Sequence, residues 1–140
     1  MQLHIVPCDL LPIYRQLSLQ ITDAVASGRL RVGDRLPAQR ELAEQLVISP
    51  LAVKKAYEEL KREGIVRTRP GRGIFVSATA AAVDPAAQRR RLYGAARWLA
   101  AQAHLVGAPL PEVERLLGEV HGELRAERAR RRHDRPSSTP

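Results

Sequence analysis

The sequence has one cysteine, Cys8, so no disulfide can form within the chain and no cysteine-based zinc site can be assembled from it alone. The bland role for that cysteine is a small residue in a turn between Val6 and Pro12; the sharper one is a redox or bridging thiol. Long apolar runs are missing too. No stretch approaches the roughly 20 residues of a membrane span, and the N-terminus lacks a basic segment followed by an apolar one. These absences predict a cytoplasmic protein that is neither exported nor embedded. Catalytic constellations are absent as well: there is no nucleophile elbow, no phosphate loop and no GxGxxG, and the cysteine has no histidine at a meaningful spacing. The four histidines, His4, His104, His121 and His133, are scattered. The reading is a non-enzyme with no metal and no cofactor.

At 140 residues and 44% hydrophobic, the chain can bury one modest core plus a helical appendage. Its net charge of +8 favours a polyanionic partner. The bias is spread, however: residues 1–78 carry 12 Lys and Arg against 8 Asp and Glu, and residues 79–140 carry 11 against 7. Charge alone therefore singles out neither half.

The informative stretch runs from Ser49 to Gly64. Ser49 is a favoured N-cap and Pro50 follows at the first helical position, where its missing N–H costs nothing. Val53, Ala56, Tyr57 and Leu60 then form a three-and-four stripe, with Lys54, Lys55, Lys61 and Arg62 off it and Gly64 as a left-handed stop. Tyr57 belongs by this spacing to the core rather than to base stacking. Upstream, Ala38 to Leu46 predicts a second short helix, with Arg40 in its first turn and with Glu41 and Glu44 turned to water or to the first helix. The first helix starts at Pro12, carries Ile13, Leu17, Ile21, Ala24 and Val25, and ends at Gly28; Tyr14 and Gln16 pack it. Residues 1–11 read as a short strand at the edge of the hairpin, and Leu30 to Pro37 as a turn.

Downstream, Ile65 to Thr68 and Gly73 to Ser77 predict two strands around Arg69-Pro70-Gly71-Arg72, where Pro then Gly favours a type II turn. The tip is narrow enough for a minor groove, and Arg69 and Arg72 flank it. A helix, a turn, a helix and a basic hairpin make up the winged variant of a geometry that docks a helix in the major groove. The bland alternative is a solvated helix and a hairpin whose arginines prevent edge aggregation.

Leu36-Pro37-Ala38-Gln39-Arg40-Glu41-Leu42-Ala43, Ile48-Ser49-Pro50, Val53, Ala56-Tyr57, Leu60, Glu63-Gly64-Ile65 and Gly71-Arg72-Gly73-Ile74-Phe75-Val76 resemble the DNA-binding signature of the GntR family of bacterial transcription regulators. The resemblance covers about Pro12 to Val76. It implies that Arg40, Ser49, Lys54, Lys55, Arg69, Gly71 and Arg72 face double-stranded DNA. The chain departs from the pattern at Ala38, usually Ser, at Ala52, usually Thr, and at Pro50 and Leu51, where Asn or Arg are frequent.

Beyond a boundary near residue 80, Asp84-Pro85 restarts a helix to about Val106 with Leu92, Ala95, Ala96, Leu99, Ala103 and Val106 on one stripe. After Gly107-Ala108-Pro109, Leu110, Val113, Leu117, Val120 and Leu124 step three, four, three, four, a seam of about two heptads. Two helices with such stripes call for a second copy, with Leu92, Leu99, Leu110, Val113, Leu117, Val120 and Leu124 at the dimer contact. This short appendage resembles the YtrA-type branch of the family. Any pocket for a small-molecule effector of unknown identity should lie near Tyr93 and Trp98.

The expected fold is mostly α with a small β-hairpin: a winged helix-turn-helix in residues 1–78, a two-helix dimerisation domain in 79–132 and a disordered tail in 133–140. The expected function is a dimeric, sequence-specific transcription regulator, a repressor at a palindromic operator. The alternative is a winged-helix protein–protein interaction module without a specific DNA target.

Overall fold

The structure is a computed structural model that describes residues 2–6, 11–77 and 85–134. The chain forms two units, Met1–Ala81 and Ala82–Pro140. The first holds α1 (Ile13–Ala26), α2 (Gln39–Leu46), α3 (Pro50–Arg62), β1 (Val66–Arg69) and β2 (Gly73–Val76); the second holds α4 (Pro85–Val106) and α5 (Leu110–His133).

The apolar stripes meet where their spacing requires. Leu17 and Ile21 of α1, Leu42 of α2, Val53 and Leu60 of α3, and Leu36 and Val76 are almost fully shielded and form the core of the first unit. Tyr57 is buried with them, and its hydroxyl donates to the Pro37 carbonyl at 2.8 Å. Burial raises the phenol's pKa and the nearby Glu41 adds to the effect, so the group stays a protonated donor tying α3 to the entry of α2. Glu59 of α3 accepts from Arg15 and, at 3.3 Å, from the Ser18 hydroxyl, which fixes α1 against α3.

Local punctuation follows the sequence closely. Ser49 caps α3 by accepting from the Leu51 amide at 3.1 Å, with Pro50 first in the helix. Ala38, with no hydroxyl, caps α2 through backbone alone. Gly64 takes φ +74° just past α3. The strands pair with Val66 opposite Val76 and Arg69 opposite Gly73; the Arg72 amide donates to the Arg69 carbonyl at 3.0 Å, and Gly71 at φ +73° occupies the position for which a type II turn needs glycine.

Two segments differ from expectation. Residues 2–6 do not join the hairpin as a strand; they lie along α1. The Gln16 amide accepts from the Val6 N–H and donates to the carbonyls of Val6 and Leu11, all at 2.9 Å, while Gln20 does the same for His4. A glutamine amide offers one acceptor and two donors, so two of them one turn apart stand in for a neighbouring strand. Residues 33–36, read as part of a turn, instead form a third edge on β2. The Gly33 and Leu36 amides donate to Val76 and Ile74, and the Val76 amide donates to Asp34, at 2.8 to 2.9 Å. Arg35 thereby comes to face Phe75.

Val47, between α2 and α3, is the one non-glycine residue with positive φ among the described residues, at +54°. A β-branched side chain is strained in that region, and Val47 is 89% exposed, so no burial offsets the cost. Val47→Asn should therefore stabilise the protein by about 1 kcal/mol. Urea unfolding would register this as a higher midpoint at unchanged slope; an unmoved midpoint would mean the strain is absent.

In the second unit α4 ends at Gly107, φ +73°, where the Ala108 amide returns to the Ala103 carbonyl at 2.9 Å, a glycine stop with Pro109 beyond it. The last helix continues through His133, with Arg130, Arg131 and Arg132 in its final turn, where cations complement the helix dipole. His133, counted with the expected tail, is the last residue of α5 and Asp134 is its C-cap; residues 135–140 lie outside the described residues, as do Cys8, the Asp84 cap and the boundary near residue 80. None of the described residues in 85–134 is buried.

Candidate nucleic-acid interface

The start of α3 and the start of α2 are brought side by side, clipped by the Gln39 amide donating to the Pro50 carbonyl at 3.0 Å. Around that junction Arg40, Ala43, Glu44, Val47, Ile48, Ser49 and Pro50 line one shallow concavity. Arg40 and Ser49 are thus neighbours in space, both exposed, at the N-terminal ends of two helices whose partial positive charge favours an anion. The Ser49 oxygen accepts in the cap, which leaves its own proton free to donate to a phosphate. Glu44, expected to turn away, borders the same concavity as Arg40.

Lys54 is exposed on the outward side of α3. Its neighbour Lys55 is exposed as well, but its ammonium sits 4.6 Å from the centre of the Tyr14 ring, drawn over α1 by the ring's negative face. Of the two lysines proposed from sequence for the DNA face, Lys54 stands clear on α3 while Lys55 is engaged with α1. At the hairpin, Arg72 and Gly71 are exposed at the tip. An added Cβ at Gly71 would meet no atom within 4 Å, so glycine is needed there for its φ and not for space. Arg69 lies with its guanidinium 5.4 Å from the Phe75 ring, a diagonal neighbour across the strands.

Sequence reasoning missed two arginines of this surface. Because Arg35 pairs with Phe75 and Phe75 with Arg67, the three share one face of the small sheet, and Val66 and Val76 bury the other. Arg69 belongs to the same face by its two-residue spacing from Arg67. A Cβ on Gly73 would come within 3.0 Å of Arg35 Nε, so Gly73 is what lets this guanidinium lie against the hairpin. The alternation of Arg67 with Arg69 was visible in sequence; the arrival of Arg35 depends on a pairing 40 residues away.

In the second unit, an apolar groove is lined by Leu99, Ala103 and Val106 of α4 and by Val113, Leu116, Leu117 and Val120 of α5. Leu116 was not singled out by the heptad count. Tyr93 and Trp98, expected beside any pocket, are exposed and do not border this groove, and Leu92 and Leu110 are largely exposed outside it. Among the described residues no three His, Cys, Asp or Glu side chains gather in a metal-binding arrangement, and no helix is long and apolar enough to cross a membrane.

Residues 13–76 match the profile of the bacterial regulatory proteins of the gntR family. The chain is 32% identical over 123 residues to the HTH-type transcriptional repressor YtrA of Bacillus subtilis (strain 168), an alignment that spans 88% of this chain and 95% of the relative. Among solved structures it is similar to YtrA from Sulfolobus acidocaldarius, a GntR-family transcription factor, at 30% identity and a TM-score of 0.55, over 86% of this chain and 97% of that one. A transcriptional antiterminator from Listeria monocytogenes EGD-e shares the fold, with a TM-score of 0.76 at 24% identity, over 89% of this chain and 92% of that one.

Proposed function

The chain belongs to the gntR family of bacterial regulatory proteins and is a DNA-binding transcription regulator; from that premise we propose that it is a cytoplasmic, non-enzymatic repressor acting as a homodimer at a palindromic operator. The observation that carries the DNA surface is the pairing of Arg40 with Ser49 at two adjoining helix starts. In this reading α3 enters the major groove with Lys54 outward, Arg40 and Ser49 hold phosphate or guanine at its entrance, and Arg72 at the tip enters the flanking minor groove. Arg35, Arg67 and Arg69 add positive charge beside the wing's backbone contact. Lys55 steadies α3 on α1 through its contact with the Tyr14 ring.

Dimerisation is supported by the second unit, where the described residues leave no side chain buried and an apolar groove open. Two helices without a core of their own gain one when a second copy covers Leu99, Val113, Leu117 and Val120. A two-fold pair then calls for a palindrome. Repression follows from the B. subtilis relative, which is named a repressor and matches this chain along both units.

Selection of bound fragments from a random DNA pool tests the reading. An enriched palindrome, bound well above scrambled competitor at moderate salt, is the expected result. A chain that enriches no sequence would instead be the interaction module that remains the alternative.

A further inference from the structure

We propose that Leu51 recognises a thymine in the major groove through its 5-methyl group, so that this leucine sets one base of the operator; the inference rests on the reading of α3 as the groove-entering helix. Leu51 is the second residue of α3 and is 65% exposed. The buried stripe of Val53, Ala56, Tyr57 and Leu60 lies on the other side of the helix, and Leu51, Lys54 and Glu58 follow one another at helical steps along the exposed side.

A single exposed leucine on a protein surface needs no explanation. Its position does. Groove-entering helices present their base-contacting residues from the N-terminal turn, and this one holds its first turn firm, with the Leu51 amide bound to Ser49 Oγ at 3.1 Å and the Pro50 carbonyl bound to Gln39. Arg40 and Ser49 lie on one side of that turn and Lys54 one turn further on, so polyanion is drawn to both flanks of an apolar tip. Leucine has neither donor nor acceptor, and cannot read a base edge by hydrogen bonding. Pressed against guanine, adenine or cytosine it would strip water from polar edge atoms without replacing it. The thymine methyl is the one apolar group among the base edges of the major groove, and it fits.

The test replaces each thymine of the selected operator, one at a time, with deoxyuridine, which removes the methyl and leaves the pairing edge intact. Affinities are measured for the unaltered protein and for Leu51→Ala, whose exposed site should leave the unfolding midpoint unchanged. The expected result is a loss of about fourfold per methyl at one thymine in each half-site, as one buried carbon implies. Leu51→Ala should bind thymine and uracil versions of that site alike, and its own selected operator should be relaxed at that base pair alone. An operator bound equally well after every thymine replacement would overturn the proposal while leaving the DNA reading intact. So would a Leu51→Ala protein that keeps the same methyl preference. If no sequence were enriched in the first place, the assignment of α3 would fall and this inference with it.

Discussion

Arg40→Ala should weaken binding to the selected operator by about 1 to 3 kcal/mol per half-site, and about twice that for a two-fold pair, because a helix-borne arginine at the groove can hold a guanine edge or a phosphate with two parallel bonds. The side chain is exposed and lies outside the core, so the loss would not reflect unfolding. Arg72→Ala should act differently. A guanidinium at the tip of a narrow hairpin senses minor-groove width, so its removal should relax preference at flanking A·T positions and leave the central bases unchanged. Salt separates positioning from reading: log affinity should fall linearly with log salt, at about 0.9 per phosphate neutralised, and each variant that removes a phosphate contact should flatten the slope by about that amount. Titrations of all three proteins against the operator and scrambled DNA supply the comparison. If both variants matched the unaltered protein in affinity and slope, the α2–α3 junction and the wing would not be the DNA surface.

The double variant Leu117→Asp, Val120→Asp should abolish the dimer. Both residues border the apolar groove, at 55% and 44% exposure in the single chain, so a second copy seated there would desolvate them. Two carboxylates per subunit in that seam would cost several kcal/mol, well beyond what rim hydrogen bonds could restore. The first unit should be untouched, because its core is drawn entirely from residues 17–76. Sedimentation would then give a monomer, and in DNA titrations that monomer would bind the full palindrome no more tightly than a single half-site. A stable dimer would move the interface elsewhere.

What was legible in the sequence was whatever depends on near neighbours. Ser49-Pro50, Pro70-Gly71 and Gly107 each carry their structural meaning within three or four residues, and the stripe through Val53 and Leu60 needed only the helical period. The parts that escaped depend on distant partners or on chemistry that mimics backbone. Nothing around Leu3 and Ile5 says that Gln16 and Gln20 will take the place of a strand, and nothing around Arg35 announces Phe75. Lys55 and Lys54 look equivalent in a list of cations; only the position of Tyr14 on a neighbouring helix separates them. Nothing around Val47 marks its left-handed backbone, which is set where the chain turns from the C-cap of α2 into α3.

The third edge that residues 33–36 add to the hairpin bears on how tightly DNA can be held. A two-stranded hairpin alone is marginally stable in water and would sample many tip positions. Here β2 is held on both sides, and the segment that holds it runs on through Pro37, which is tied to Tyr57, into the helix that carries Arg40. The wing tip and the helix-turn-helix are therefore one stiff caliper, its jaws set when the chain folds. On the proposed DNA surface, binding would then lose little conformational entropy, and a groove spacing that departs from the preset gap would have to deform the DNA instead of the protein.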